Sequence, residues 1–77
     1  MTPAEADRRI ILSRQTLARY LRMVRAGQYP VNDIKLMTDE MDLLKRIAYK
    51  VEGKWDKCER LAMKWKALLD TIRPKLN

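Results

Sequence analysis

Residues 34–72, IKLMTDEMDLLKRIAYKVEGKWDKCERLAMKWKALLDTI, carry an unbroken heptad pattern of apolar side chains. The spacing alternates between three and four residues, which is typical of an amphipathic helix packed in coiled-coil fashion. The first heptad series contains Ile34, Met41, Ala48, Trp55, Ala62 and Leu69. The second contains Met37, Leu44, Val51, Cys58, Trp65 and Ile72. Further apolar residues widen the stripe, as in a helix with two neighbours. The pattern predicts an all-α protein.

Gly53 is the position at which this stretch could be divided. A glycine inside a helix costs about 1 kcal/mol, and the residues around it could form a turn. The heptad phase continues through the glycine, which favours one long, coiled-coil-like helix over about 33–73, capped by Asn32 and ended by Pro74. The alternative is a three-helix bundle broken at Gly53.

A separate helix is predicted for the first third of the chain, over about 3–26. Residues 2–5, Thr-Pro-Ala-Glu, are typical of a helix start, because the threonine can accept from the glutamate amide and proline has no amide to leave unpaired. Gly27 is suited to the left-handed position that follows a helix. The two predicted helices form a helical hairpin, a single domain over residues 1–77.

An oligomer is predicted from the length of the second helix. The shorter first helix would cover only part of the apolar stripe, and a large exposed apolar patch usually marks an interface. We therefore expect a homodimer. The predicted oligomer seam consists of Met41, Leu44, Val51, Trp55, Cys58, Trp65 and Leu69.

A basic binding face is predicted from the distribution of charge. The chain has 17 Lys and Arg against 10 Asp and Glu, a net charge of +7. Every basic residue before Gly27 is an Arg, and the planar guanidinium binds phosphate or carboxylate oxygens two at a time. The alternative interpretation is an ordinary solvated helix face. The candidate anion- or partner-binding residues are Arg8, Arg14, Arg19, Arg22, Arg25, Lys57, Arg60 and Lys64.

Several functions are excluded by composition. The chain has no histidine and one cysteine, which excludes a His/Cys zinc site, a Cys–His nucleophile pair and an intrachain disulfide. No glycine-rich phosphate loop is present. We therefore expect no enzymatic activity, no cofactor and no small-molecule substrate. The chain also lacks a signal peptide and a membrane span, so we expect a cytoplasmic protein with no membrane contact.

Two functions remain, and net charge does not separate them. In the first, the Arg/Lys face docks onto nucleic acid or a nucleoprotein complex, mostly through the phosphate backbone. In the second, the chain is a protein–protein adaptor or inhibitor, such as a viral accessory protein or a regulatory subunit, whose helical surface binds an acidic or groove-bearing protein.

One stretch resembles a known DNA-binding element. Ser13-Arg14-Gln15-Thr16-Leu17-Ala18-Arg19-Tyr20-Leu21 is similar to the recognition helix of bacterial helix-turn-helix repressors. The resemblance implies that Arg14, Gln15 and Thr16 contact bases. The chain departs from that family in having only twelve residues before the stretch, with no glycine for the tight turn.

Overall fold

A computed structural model of the chain describes residues 1–76, and within them the fold is entirely helical. The helices are α1 (Pro3–Arg25), α2 (Ile34–Lys50) and α3 (Trp55–Ile72). Short 3₁₀ turns at Val31–Asp33 and Arg73–Lys75 precede α2 and follow α3. The all-α prediction is confirmed. Among these described helices, none combines the length and apolar character needed to cross a membrane.

The first helix begins and ends at the predicted signals. The Thr2 hydroxyl accepts from the Glu5 amide at 3.2 Å, and Pro3 is the first helical residue. At the other end Gly27 has φ +79°, and the amide of Gln28 donates to the Met23 carbonyl at 2.9 Å. A left-handed residue with this hydrogen bond is the usual way to satisfy the last carbonyls of a helix. Both ends of α1 thus depend on local chemistry.

The favoured single helix over 33–73 is wrong, and the alternative break at Gly53 is what the structure contains. The second helix stops at Lys50, Val51 is extended, and Gly53 has φ +81°. The extended Val51 ends α2, and the left-handed Gly53 then lets the chain turn back, because glycine adopts this conformation without a Cβ clash. The heptad pattern did not reveal the break, because two helices joined by a four-residue turn can keep their apolar residues in the same heptad register.

The predicted cap at Asn32 is also wrong. Asp33 is the residue before α2, and its side chain makes no capping hydrogen bond. Its carboxylate instead accepts from the Tyr20 hydroxyl at 3.0 Å. Pro74 lies in the 3₁₀ turn after α3, consistent with a helix that ends just before it.

The three helices pack around one apolar core. Arg9 contacts Glu40 and Tyr20 contacts Asp33, so α1 and α2 are antiparallel. The turn at Gly53 makes α3 antiparallel to α2 and therefore parallel to α1. Trp65 is fully buried, donates to the Ser13 hydroxyl at 2.9 Å, and meets Tyr20 edge-on with ring centroids 5.9 Å apart.

The seam predicted for a dimer lies largely inside this core. Leu44, Val51, Cys58, Trp65 and Leu69 are all buried within the single chain. The reason is the break at Gly53, because folding α3 back on α2 covers the stripe that a continuous helix would leave exposed. Met41 is half-buried and Trp55 is 46% exposed, so only these two predicted seam residues remain accessible. Dimerisation itself stays a prediction.

Candidate nucleic-acid interface

The outer side of α1 carries three of the predicted arginines. Its buried stripe consists of Ala6, Ile10, Ser13, Leu17 and Tyr20. At about 100° per residue, Arg8, Arg19 and Arg22 lie roughly 140–160° from the middle of that stripe, and all three are exposed. The Arg19 guanidinium also lies 5.6 Å from the centroid of the Tyr20 ring, a contact that helps to hold it in place.

The side of α1 that faces α3 is marked by an ion pair. Lys54 Nζ lies 2.7 Å from Asp7 Oδ1, between the start of α3 and the first turns of α1. The hydrogen bond from Lys54 lowers the pKa of Asp7, desolvation opposes the shift, and the charges of Lys54 and Lys57 lower the pKa further. Lys57 is therefore close enough to α1 to act electrostatically across the two helices.

Helical periodicity identifies which other basic residues lie on the same side of α1 as Asp7 and on the same side of α3 as Lys57. Arg14 follows Asp7 by seven residues and Arg25 follows it by eighteen, so both lie within about 20° of Asp7 around the helix. On α3, Lys64 follows Lys57 by seven residues and has the same direction to within about 20°. Because the two helices are parallel, these side chains line one continuous side of the molecule.

Arg60 completes this arrangement at its outer edge, between Lys57 and Lys64 in sequence. We refer to the eight residues together as the basic surface, which spans the outer side of α1 and the adjoining flank of α3. All of them are exposed. Its members are Arg8, Arg14, Arg19, Arg22, Arg25, Lys57, Arg60 and Lys64.

Within residues 1–76, no member of the basic surface takes part in an ion pair. The four ion pairs that do form use four of the nine remaining cations, Arg9, Lys35, Lys54 and Lys66. Arg9 is separated from the other arginines because it points toward α2, where its guanidinium binds Glu40 at 3.0 Å. The charge of the basic surface is thus not neutralised by contacts within the chain.

Sequence reasoning missed the apolar side chains that interrupt the basic surface. Ile11 is 50% exposed and Leu12 is 52% exposed, and both lie between arginines on α1. The alternation of apolar and basic residues along α1 could have indicated them. The apolar stripe of α1 included the neighbouring Ile10, and Ile11 and Leu12 were assigned neither to the core nor to a binding surface.

A second feature that sequence reasoning missed is an apolar groove between α2 and α3, on the side of the molecule away from α1. The groove has a volume of about 320 Å³. Tyr49 and Trp55 stand at one end with their rings edge-on, 5.2 Å between centroids. This groove exists only because the chain turns at Gly53. The prediction of one continuous second helix therefore contained no such groove.

The arrangement implied by the helix-turn-helix resemblance is wrong. Residues 3–25 form one uninterrupted helix, so no separate helix and turn precede Ser13. Ser13 itself faces the core, where it accepts from Trp65. Arg14 and Gln15 are exposed, whereas the Thr16 hydroxyl donates to the Leu12 carbonyl at 2.9 Å. Arg14 therefore belongs to the basic surface and not to a recognition helix of that kind.

The single cysteine lies in the core. Cys58 is buried, and desolvation raises the pKa of its thiol, so the reactive thiolate is disfavoured. In the described part of the chain no group of three His, Cys, Asp or Glu side chains could hold a metal ion. What the geometry offers is exposed positive charge on one side and exposed apolar surface on the other.

Comparison with known proteins adds no assignment. No protein-family model matches the chain, and no curated protein or solved structure shows significant similarity to it.

Proposed function

We propose that this protein binds nucleic acid, alone or within a nucleoprotein complex, through the phosphate backbone and the basic surface. The observation that carries the proposal is that eight cations on α1 and α3 are exposed and none is in an ion pair within the described chain. An uncompensated basic surface attracts polyanions and releases their condensed counterions when it binds.

The dimensions of α1 suit a backbone contact. From Arg8 to Arg25 the helix rises about 25 Å at 1.5 Å per residue. A duplex presents one phosphate charge per about 1.7 Å of its axis, so this row of arginines faces many phosphates at once. Six of the eight cations are arginines, whose planar fork suits phosphate oxygens. Contacts of this kind position a protein on nucleic acid and read little sequence.

The experiment is fluorescence anisotropy with two unrelated DNA duplexes over a range of salt concentrations. If all eight cations contact phosphates, the logarithm of the binding constant should fall with the logarithm of salt concentration with a slope of roughly −7. The two duplexes should bind with similar affinity. A slope near zero, or strong binding at about 150 mM salt to one duplex alone, would contradict backbone binding.

A matched pair of variants separates the basic surface from net charge. The triple variant Arg8→Gln, Arg19→Gln, Arg22→Gln should lower the magnitude of the salt slope by about three. The control variant Lys35→Gln, Arg46→Gln, Lys50→Gln removes the same charge from exposed positions of α2 and should change the slope far less. Equal effects from both variants would mean that the protein binds by net charge without a defined surface.

A second function, the protein adaptor or inhibitor, is favoured by one observation. Ile11 and Leu12 are half-exposed among the arginines of α1, and a phosphate backbone offers nothing apolar for them to contact. An acidic protein surface with an apolar centre would use both kinds of side chain. Under this alternative Leu12→Ala should weaken partner binding, and one or two arginines should dominate. Under the nucleic-acid proposal Leu12→Ala should leave binding unchanged.

The nucleic-acid proposal depends on neither the predicted homodimer nor an enzymatic activity. It is compatible with the predicted cytoplasmic location, where nucleic acid is accessible.

A further inference from the structure

The apolar groove between α2 and α3 has unusually exposed walls. Tyr49 is 78% exposed, Met63 is 65% exposed and Trp55 is 46% exposed. Behind them Leu44 and Cys58 line the groove and are buried. Large apolar side chains grouped around a concave surface usually mark a place where another molecule packs.

The charges that line the groove differ from those of the basic surface. Lys45, Glu59 and Lys66 line it, and Lys66 is already paired with Asp70 at 3.0 Å. The groove side is therefore close to neutral, and no member of the basic surface lines it. Two copies of the chain, each with a net charge of +7, therefore repel each other least when they approach through the groove.

We propose that this groove is the contact between two copies of the chain in a two-fold dimer. An isologous contact places the same surface of each copy against the other. When the groove is that surface, α2 of one copy can lie against α3 of the second. Lys45 of each copy then lies against Glu59 of the other, which gives two symmetry-related ion pairs across the interface. The apolar rims of the two copies cover each other.

Two further observations favour a second copy as the occupant. Met41 and Trp55, the two predicted seam residues that remain accessible, both line this groove. At 1.5 Å per residue α2 and α3 are each about 25 Å long, so a second copy can pack along the pair of helices that forms the groove. The dimer would leave both basic surfaces facing outward. It does not depend on whether they bind nucleic acid.

Sedimentation equilibrium across the micromolar range tests the dimer directly. The wild-type chain should approach twice 9.2 kDa as its concentration rises. Met63→Asp places a charge on the groove and should raise the dissociation constant of the dimer by about tenfold or more. The matched control Leu12→Asp makes the same change at a half-exposed position on α1 and should leave the dissociation constant unchanged. Circular dichroism on each variant checks that the monomer is still folded.

A charge exchange tests the pairing of the two copies. Lys45→Glu alone should weaken self-association, because it sets two carboxylates against each other at both symmetry-related positions. Glu59→Lys alone should do the same with two ammonium groups. An equimolar mixture of the two single variants should form dimers again, because each variant then supplies the charge that the other lacks.

Three results would overturn the proposal. The first is a folded wild-type chain that remains monomeric throughout the concentration range, which would leave the groove to a different molecule. The second is a dimer that is weakened by Leu12→Asp and not by Met63→Asp. The third is a mixture of the charge variants that associates no better than either variant alone.

Discussion

The basic surface and the α2–α3 groove lie on different sides of one small molecule and leave different groups in contact with water. The basic surface presents eight cations without intrachain ion pairs among the described residues. The groove presents aromatic and methionine side chains and only three charged residues. A chain of this size can bury only about 60–65% of its surface. The comparison teaches that the two sides differ in chemistry: positive charge without intrachain partners lies on α1 and the adjoining flank of α3, and exposed aromatic and methionine side chains lie at the groove between α2 and α3.

The largest effect is expected at the core that both sides share. Trp65→Ala removes a fully buried side chain, its hydrogen bond to Ser13 and its contact with Tyr20. The free energy of unfolding should fall by about 3–5 kcal/mol, and both surfaces should be lost together. Urea denaturation measures the change. Trp55→Ala, on the groove rim, is the control and should cost about 1 kcal/mol. Equal costs at the two tryptophans would show that the wrong one is assigned to the core.

A smaller effect should separate two neighbouring arginines. Arg9→Ala removes the ion-pair partner of Glu40, whose side chain is only 12% exposed, so the free energy of unfolding should fall by about 1–3 kcal/mol. Arg8→Ala changes an exposed member of the basic surface and should stay within about 0.5 kcal/mol. Thermal or urea denaturation of both variants checks the difference. The assignment of Arg9 to the fold and Arg8 to the surface fails if their costs are reversed.

Gly53→Ala should reveal the turn that creates the groove. With φ +81° at this position, a Cβ is strained although nothing lies within 4 Å of it, so the variant should lose about 1–2 kcal/mol of stability. A continuous helix predicts the opposite sign, a gain of about 1 kcal/mol. Gly27→Ala has the same geometry after α1 and should be destabilised similarly. A stabilised Gly53→Ala chain would restore the single long helix and remove the groove.

The smallest effect concerns the acid beside the basic surface. The pKa of Asp7 is lowered in the folded protein, first by the hydrogen bond from Lys54. This pair therefore contributes stability above the unfolded pKa of the carboxyl group, and the contribution is lost as the pH falls through the folded pKa. An NMR titration should find the pKa of Asp7 below its usual value, and Lys54→Met should return it toward that value. An Asp7 pKa that Lys54→Met leaves unchanged would contradict the ion pair.

The ends of α1 could be predicted because their signals are local. The Thr2 cap and the left-handed Gly27 each act within a few residues of the chain, so no tertiary information is needed to place them. The exposure of the basic surface was predictable for the same reason, since helical periodicity alone separates Arg8, Arg19 and Arg22 from the apolar stripe.

Other features could not be read from local pattern. Arg9 and Arg8 are adjacent in sequence, and only the position of Glu40 on α2 distinguishes their roles. Five members of the predicted seam are buried within the single chain. The heptad pattern identifies side chains that pack against another helix, but it does not say whether that helix belongs to the same chain or to a second copy. Asn32 and Asp33 compete as caps, and the contact of Asp33 with Tyr20 depends on the packing of α1.

The sequence by itself determined that the chain is helical, where its apolar stripes lie and which face of α1 carries the arginines, because these follow from spacing along a helix of known period. Tertiary structure decided how those stripes meet. Gly53 can adopt either a helical or a left-handed conformation. The left-handed turn is stabilised by the apolar area that α3 buries when it folds back on α2. That turn moved most of the predicted seam into the core and brought Lys57 close enough to α1 to act on the charge of Asp7. It also opened the groove at Tyr49 and Trp55, which no helical period along a single segment specifies.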